Sequence, residues 1–240
     1  MDKDEIKSFL LEKFSDLIAE KGVLYVVSTP IGNLQDISFR ALFILQNVDL
    51  IACEDTRVTG ILLSHYGIRT KMISYYANVE ENKLDYIINE LKNGKSVALV
   101  SDAGTPCISD PGSILVSKCR EEEIEVYSVP GASSLVNALV LSGFPTDKFY
   151  FQGFLPQKKG REKTFLELKN IRQTIIILEA KYRIRKMLNE CKKYFGNNEI
   201  AVCRELTKKF EEVTRGNLKE INPESIKEKG EFVVVINNSL

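Results

Sequence analysis

A unit repeated through the first half of the chain sets its architecture. An apolar, largely β-branched run breaks off into a loop of small or acidic residues, and a helical stretch follows. It occurs as VLYVVSTPIGN (23–33), where the run stops at Thr-Pro, as VDLIACED (48–55), ending in acids, as SVALVSDAG (96–104), running into AGTPCISDPG, and as EVYSVPG (125–131). Runs with little polar alternation suit strands covered on both faces, as in a parallel sheet. Helical spacing fills the intervals: 37–46, a segment carrying Ile61, Leu62, Leu63 and His65, then 84–93, 113–123 and 132–142. Such alternation predicts a mostly parallel, doubly wound α/β sheet.

Beyond the turn Phe144-Pro145-Thr146-Asp147 the pattern changes. Strands are expected at 149–155, 173–180, 199–206, near 210–217 and at 231–238, with a helix over 182–195. The expected fold is two α/β domains, 22–145 with the parallel sheet and 146–240 with a mixed sheet and helices. A helical extension, 1–21, precedes them. There Ile6, Phe9, Leu10, Phe14, Leu17 and Ile18 recur at helical spacing, which reads as an amphipathic helix packed on the body or on a second subunit, with a membrane-surface helix as the alternative.

The 240 residues balance 33 Lys+Arg against 33 Asp+Glu, but the sum hides a polarity. Residues 1–148 hold 14 Lys+Arg and 21 Asp+Glu, a balance of −7; residues 149–240 hold 19 and 12, a balance of +7. Between Lys158 and Lys193 twelve basic residues face four Glu, leaving +8. That stretch reads as a polyanion-binding surface, with a solvated helix face as the alternative. Tyr182 and Tyr194 are candidates either for stacking on an unpaired base or for the core. The start, MDKDEIKSFLLEKF, lacks the apolar region of a secretory signal, and no apolar run approaches the roughly 18 residues of a membrane span. Cysteines at 53, 107, 119, 191 and 203 form no CxxC, and with a single His they point to no metal site. Their odd count suits the reduced thiols of a cytoplasm.

In an open α/β sheet, ligands bind beyond the carboxyl ends of the strands. The loop 28–34 is small-residued but is neither GxGxxG nor a Walker A motif, so it serves close backbone approach or is only a tight turn. Asp102, at its strand end, is a candidate ligand acceptor, whereas Asp110 is expected to cap the helix that starts near Ser113. The 129–134 turn offers either an N-cap from Ser133 or Ser134 or backbone contact with a flat ligand. Glu54 or Asp55 is a general base or simply pairs with Arg57, the pairing being the plainer reading. His65, on an apolar helix with no partner motif, reads as structural.

Taken in order, TPIGNLQDISFRAL, ACEDTR, LVSDAGTPCISDPG, VPGASS, GFPTDKFYFQGFLPQKKG and CRELTKKFEEVTRG resemble the ribosomal RNA small-subunit methyltransferase I family. That family is one of the tetrapyrrole methylase-like, class III S-adenosylmethionine methyltransferases. The resemblance spans residues 22–238. It implies a two-domain homodimer that binds S-adenosylmethionine in the cleft between its domains. It also implies 2′-O-methylation of a cytidine in the decoding region of 16S rRNA, on the assembled small subunit.

Carried onto matching positions, the resemblance assigns cofactor contacts to Thr29, Pro30, Gly32, Asp102, Gly104, Thr105, Ala132, Ser133, Leu155 and Ala180. Loss of the ribose proton needs a base; with one His, the candidates are Glu54, Asp55, Glu179 and Glu205, with Lys or water as alternatives. Arg57, Arg183 and Arg204 are candidates for holding phosphates or orienting the base, or for structural ion pairs.

The chain also departs from the family. Cys107 stands where a Gly is usual, Val58 replaces a His, and Gly60 takes a basic position. A His-rich stretch reads SYYANVE (74–80), and a YESPHR-like segment reads LEAKYR (178–183), keeping Glu179 and Arg183. Two rival readings remain at this stage: a methyltransferase of the same fold acting on a small molecule such as a tetrapyrrole, and a non-enzymatic RNA-binding protein. The basic stretch argues against the first, and the intact SDAGTP and PGASS loops against the second.

Overall fold

The structure, a computed structural model, describes residues 19–76 and 80–239, with Glu5, Ser8 and Glu12 ahead of them; for 80–82 it describes the backbone alone. The amphipathic pattern at 4–19 therefore falls largely outside the described residues. Two compact units follow one another, 1–133 and 134–240.

In the first unit, strands β1 (Leu24–Val27), β2 (Leu50–Cys53), β3 (Met72–Ser74), β4 (Val97–Val100) and β5 (Val126–Val129) form one sheet in the order β3-β2-β4-β1-β5. Every pairing is parallel. Leu50, Val97, Leu24 and Val126 stand in one register row, so they share a face. That row, with Leu99 and Ala52, packs on α3 (Glu80–Lys92) and α4 (Ser113–Glu121) through Ile87, Leu91, Leu115 and Cys119. The alternate residues Tyr25, Val27, Ile51, Cys53, Ala98 and Val100 pack on α1 (Phe39–Asn47) and α2 (Thr56–Tyr66). Strands buried on both faces have no reason to alternate, which accounts for the continuous apolar runs. With all strands parallel, the loops after β1, β2, β4 and β5 leave from one edge of the sheet, where ligands bind in such folds. Strands β2 and β4 end earlier than the sequence pattern suggests, which leaves Glu54 and Asp102 in loops.

The second unit holds β6 (Phe149–Phe154), β7 (Thr174–Ala180), β8 (Glu199–Arg204), β9 (Glu212–Asn217) and β10 (Glu231–Asn237), in the order β6-β7-β10-β8-β9. Only β6 and β7 are parallel. Helix α7 (Ile184–Phe195) turns Ile184, Met187, Leu188, Cys191 and Phe195 inward, a 3–4 spacing that makes one apolar stripe. Helix α5 (Ser134–Ser142) packs against β10, β8 and β9, which is why the chain divides before it and not at 145/146 as the turn residues suggested. Helix α6 (Arg161–Lys169) escapes the sequence pattern altogether, because only Phe165 and Leu168 among its apolar residues face inward and its sequence is mostly charged. The short edge strand β3 escapes it too.

Helix α6 ends against the last strand. The buried Asn238 side chain donates to the carbonyls of Leu168 at 3.4 Å, Lys169 at 3.3 Å and Ile171 at 2.5 Å, and accepts from the Asn198 amide at 2.7 Å. The Leu168 carbonyl also accepts from Ile171 N at 3.0 Å, whereas those of Lys169 and Ile171 lie past the last intrahelical bonds. Replacing Asn238 with Leu should strand them and cost about 1–3 kcal/mol in a urea melt; an unchanged midpoint would show that the amide is dispensable.

Candidate active site

Three loops close on one another at the β1, β4 and β5 ends. Thr29 and Gly104 form an isolated antiparallel bridge: Thr29 N donates to Gly104 O at 2.9 Å, and Gly104 N to Thr29 O at 3.1 Å. The Thr29 hydroxyl donates to Ser101 O at 3.1 Å, and the hydroxyls of Ser28 and Thr105 share a bond of 2.9 Å. Thr105 Oγ1 also donates to Ala132 O at 3.4 Å. Such closeness needs small residues. A Cβ on Gly131 would sit 2.9 Å from the Ser28 Cβ, and Gly104 has φ +83°.

Thr29, Pro30, Gly104, Thr105, Ala132 and Ser133 are thus brought together as the sequence suggests. Thr29 and Pro30, however, are buried and build the wall. The exposed surface falls to Gly32, Ala103 and Gly131.

Beside these loops stand carboxylates. Asp102 Oδ1 accepts from Asp55 N at 3.0 Å, and Glu54 Oε2 accepts from Asp102 N at 3.4 Å. Burial raises the pKa of Asp102, and burial raises that of Glu54 as well. Asp110 is pushed up to about 6, first by burial and then by the charge of Glu54. The expectation that Asp110 caps the following helix is not met: the N-cap of α4 is Gly112, with no side-chain capping bond. Gly112, at φ +129°, lies so close over Leu99 that a Cβ would come 2.6 Å from its Cδ2. The chain turns there, and Asp110 is directed to Ser101 and Glu54.

Asp55 behaves otherwise. It caps α2 through Arg57 N at 2.8 Å and pairs with the Arg57 guanidinium at 2.5 Å, which holds its pKa down at about 2. Arg57 itself is 88% exposed. Glu54, Asp102 and Asp110 form no ion pair among the described residues; Arg57, paired with Asp55, acts on Asp102 only at a distance and lowers its pKa less than burial raises it.

The remaining candidates lie in the second unit and are committed to its structure. Glu179 is fully buried between Arg161 at 3.3 Å and Arg183 at 2.7 Å, and it accepts from Ala180 N at 2.8 Å. Arg161 also grips Glu190 at 2.7 Å and the Pro156 carbonyl at 3.1 Å. Arg204 is buried, bonded to Glu212 at 2.9 Å and to the Lys229 carbonyl at 3.3 Å. Glu205, at φ +53°, folds over Gly230, accepts from Glu231 N at 3.0 Å and pairs with Lys208 at 3.0 Å. Each of Glu179, Arg204 and Glu205 is thus held in an ion pair, the structural alternative that the sequence left open for the arginines. Leu155 is buried in the second core and Ala180 is half-buried.

The basic stretch is likewise less uniform than its +8 suggests. Arg161 and Arg183 serve Glu179, Arg185 pairs with Glu224 at 2.7 Å, and Lys193 pairs with Glu162 at 3.4 Å. Lys158, Lys159, Lys169, Lys181 and Lys186 remain exposed.

The sequence singled out Asp110 but in another role, and it showed Arg161 only as one of the basic residues of its stretch; the signal available for Arg161 was an Arg opening a charged helix. His65 is exposed, with its ring edge-on to Tyr66. Cys107 adopts φ +73°, a conformation that suits the Gly the resemblance puts at this position; its half-buried thiol is pushed up by burial. Among the described residues no group of His, Cys, Asp and Glu is arranged to hold a metal ion, and no helix is long and apolar enough to cross a membrane.

Comparison with known proteins accords with this geometry. The family model for Tetrapyrrole (Corrin/Porphyrin) Methylases matches residues 23–222, which defines the class. Solved structures of that class share the fold: cobalt precorrin-4 methyltransferase (TM-score 0.66, 16% identity, 89% of this chain and 94% of that one) and uroporphyrin-III-C-methyltransferase from Thermus thermophilus (0.62, 18%, 91% and 96%). Ribosomal RNA small subunit methyltransferase I of Halalkalibacterium halodurans is 45% identical over 90% of this chain and 76% of its own length. The protein of that name from Bacillus subtilis is 44% identical over 92% and 77%. The chain belongs to the ribosomal RNA small subunit methyltransferase I family of tetrapyrrole methylases.

Asp110 gives a pH signature. Its folded pKa, about 6, exceeds the 3.8 of the free side chain, so the folded state binds the extra proton between these values. Its contribution is therefore fully present below about pH 4 and is lost as pH rises through about 6. Asp110→Asn should raise Tm relative to the parent at pH 7.5 and leave it unchanged at pH 4. Equal melting at both pH values would place Asp110 in solvent.

Proposed function

We propose that this methyltransferase uses S-adenosylmethionine to methylate the ribose 2′-oxygen of a cytidine in the decoding region of 16S rRNA. It acts on the assembled small subunit, as a cytoplasmic homodimer. The observation that carries the reading is the set Glu54, Asp102 and Asp110, none of them in an ion pair, beside three small-residue loops. A methyl donor with an ammonium and a sulfonium suits half-buried carboxylates that have no cation of their own. Gly104 and Gly131 keep the loop backbone bare for a flat ring. The residues therefore fit the group.

When bound, S-adenosylmethionine supplies an electrophilic methyl on sulfur. The chain's task is to orient the acceptor and to take its proton. At a pKa of about 2, Asp55 is too weak a base. Glu179 is held by two guanidinium groups. Glu54, half-exposed and raised by burial, is the carboxylate we assign to the proton, a role that typically contributes about 10²–10⁴-fold. Arg57, exposed at the same strand end, is placed to meet a phosphate. The names of the 44–45% identical relatives support the RNA substrate over a tetrapyrrole, since the tetrapyrrole enzymes share only the fold. Val136, Val140 and Leu141, exposed on α5, offer apolar surface to a second copy.

Incubation with labelled S-adenosylmethionine and small subunits from a strain lacking the modification should place label in 16S rRNA. Tight cofactor binding with unlabelled RNA would overturn the reading. By calorimetry, Asp102→Ala should weaken cofactor binding at least about tenfold, the loss of one charge-assisted contact. Gly131→Ala, which pushes the β5 loop off Ser28, should do the same and also lower Tm, as overpacking against the buried Ser28 does. Full affinity in both variants would move the cofactor elsewhere.

A further inference from the structure

Two tyrosines lie in the basic stretch, and the structure separates them. Tyr194 is stacked on Phe165, with centroids 4.9 Å apart and planes 9° from parallel, and its hydroxyl donates to Glu162 at 3.0 Å. Its ring belongs to the packing of α6 on α7. Tyr182 is 67% exposed, in the 3-10 turn Lys181–Arg183 that leaves β7.

An exposed ring is ordinarily free to swing. Here the Arg183 guanidinium stands 5.3 Å from the ring centroid, within cation–π range. Arg183 is in turn fixed by Glu179 at 2.7 Å, and Glu179 by Arg161. Arg183 Nη1 is buried and has no hydrogen-bond partner, so Glu179 and the Tyr182 ring are what hold this guanidinium. The chain of contacts Glu190–Arg161–Glu179–Arg183 thus ends on an aromatic ring held out in solvent. Lys181 and Lys186, either side of it in sequence, are exposed and form no ion pair among the described residues. A fixed, exposed ring flanked by unpaired cations is the chemistry that holds an unpaired nucleobase and its phosphates.

We propose that Tyr182 is a stacking platform for an unpaired base of the RNA substrate, with Lys181 and Lys186 contacting the adjoining phosphates. The proposal rests on the RNA substrate given above. It assigns substrate contact to Tyr182 and a positioning role to Arg183.

The test uses the full chain and small subunits lacking the modification. Tyr182→Ala should raise the KM for subunits, and weaken their binding, about 5- to 150-fold, the range for losing one stacked base. Cofactor affinity and Tm should stay at parent values. Tyr182→Phe should recover binding to within about threefold, since the ring and not the hydroxyl carries the contact. The slope of affinity against salt should be unchanged in Tyr182→Ala and shallower by about one in Lys186→Gln. Unchanged subunit binding in Tyr182→Ala would overturn the proposal, as would a loss confined to cofactor affinity. A parent protein that binds subunits but transfers no methyl would overturn the methylation reading alone, because the ratio of subunit affinities still decides the stacking.

Discussion

The bridge between Thr29 and Gly104 is the constraint on which the first unit's loop geometry depends. Two backbone hydrogen bonds join the loop after β1 to the loop after β4, although neither residue belongs to a strand. Each bond is worth only about 1 kcal/mol net. Their effect is geometric: they fix the spacing of two loops, and the third, after β5, then fits only because Gly131 adds nothing against Ser28. The carboxylates at the ends of β2 and β4 inherit that spacing, and their raised pKa values follow from the burial it imposes.

The second unit handles charge in the opposite way. Where the first leaves carboxylates without cations, the second encloses Glu179 between two arginines, one of which also binds Glu190. Buried pairs of this kind add little net stability but are costly to break, because removing one member strands the other. They fix geometry. Strand β7, helix α6 and helix α7 are tied at Arg161, which is bonded to a carboxylate of each of the other two elements and to the Pro156 carbonyl.

Much of this was legible in the sequence. The apolar runs of β1, β2 and β4 are unmistakable because the strands are buried on both faces, and α7 because its stripe is regular. Where burial is partial, the pattern fades: β3 is a short edge strand, and α6 hides its two anchors, Phe165 and Leu168, among charges. The small-residue loops could be picked out as places of close backbone approach, because Gly and Ser recur at successive strand ends and leave the room that the Thr29–Gly104 bridge and the Gly131–Ser28 contact use. The fate of individual charges could not. Whether Asp110 caps a helix or sits beside Glu54 is decided by a turn at Gly112, and whether Glu179 is a base or an anchor by residues 18 positions before it and 11 after it, Arg161 and Glu190.

One departure from the family has a practical side. Of the five cysteines, all free, four are buried, and only Cys107 reaches the surface, beside the carboxylates and in a backbone conformation that side chains rarely adopt. The chain therefore carries its own single attachment point for a thiol-directed dye or spin label. Because burial raises that thiol's pKa, labelling is faster in alkaline buffer. A probe there would report on the loop after β4 from within it, with no residue engineered and no core cysteine to mask.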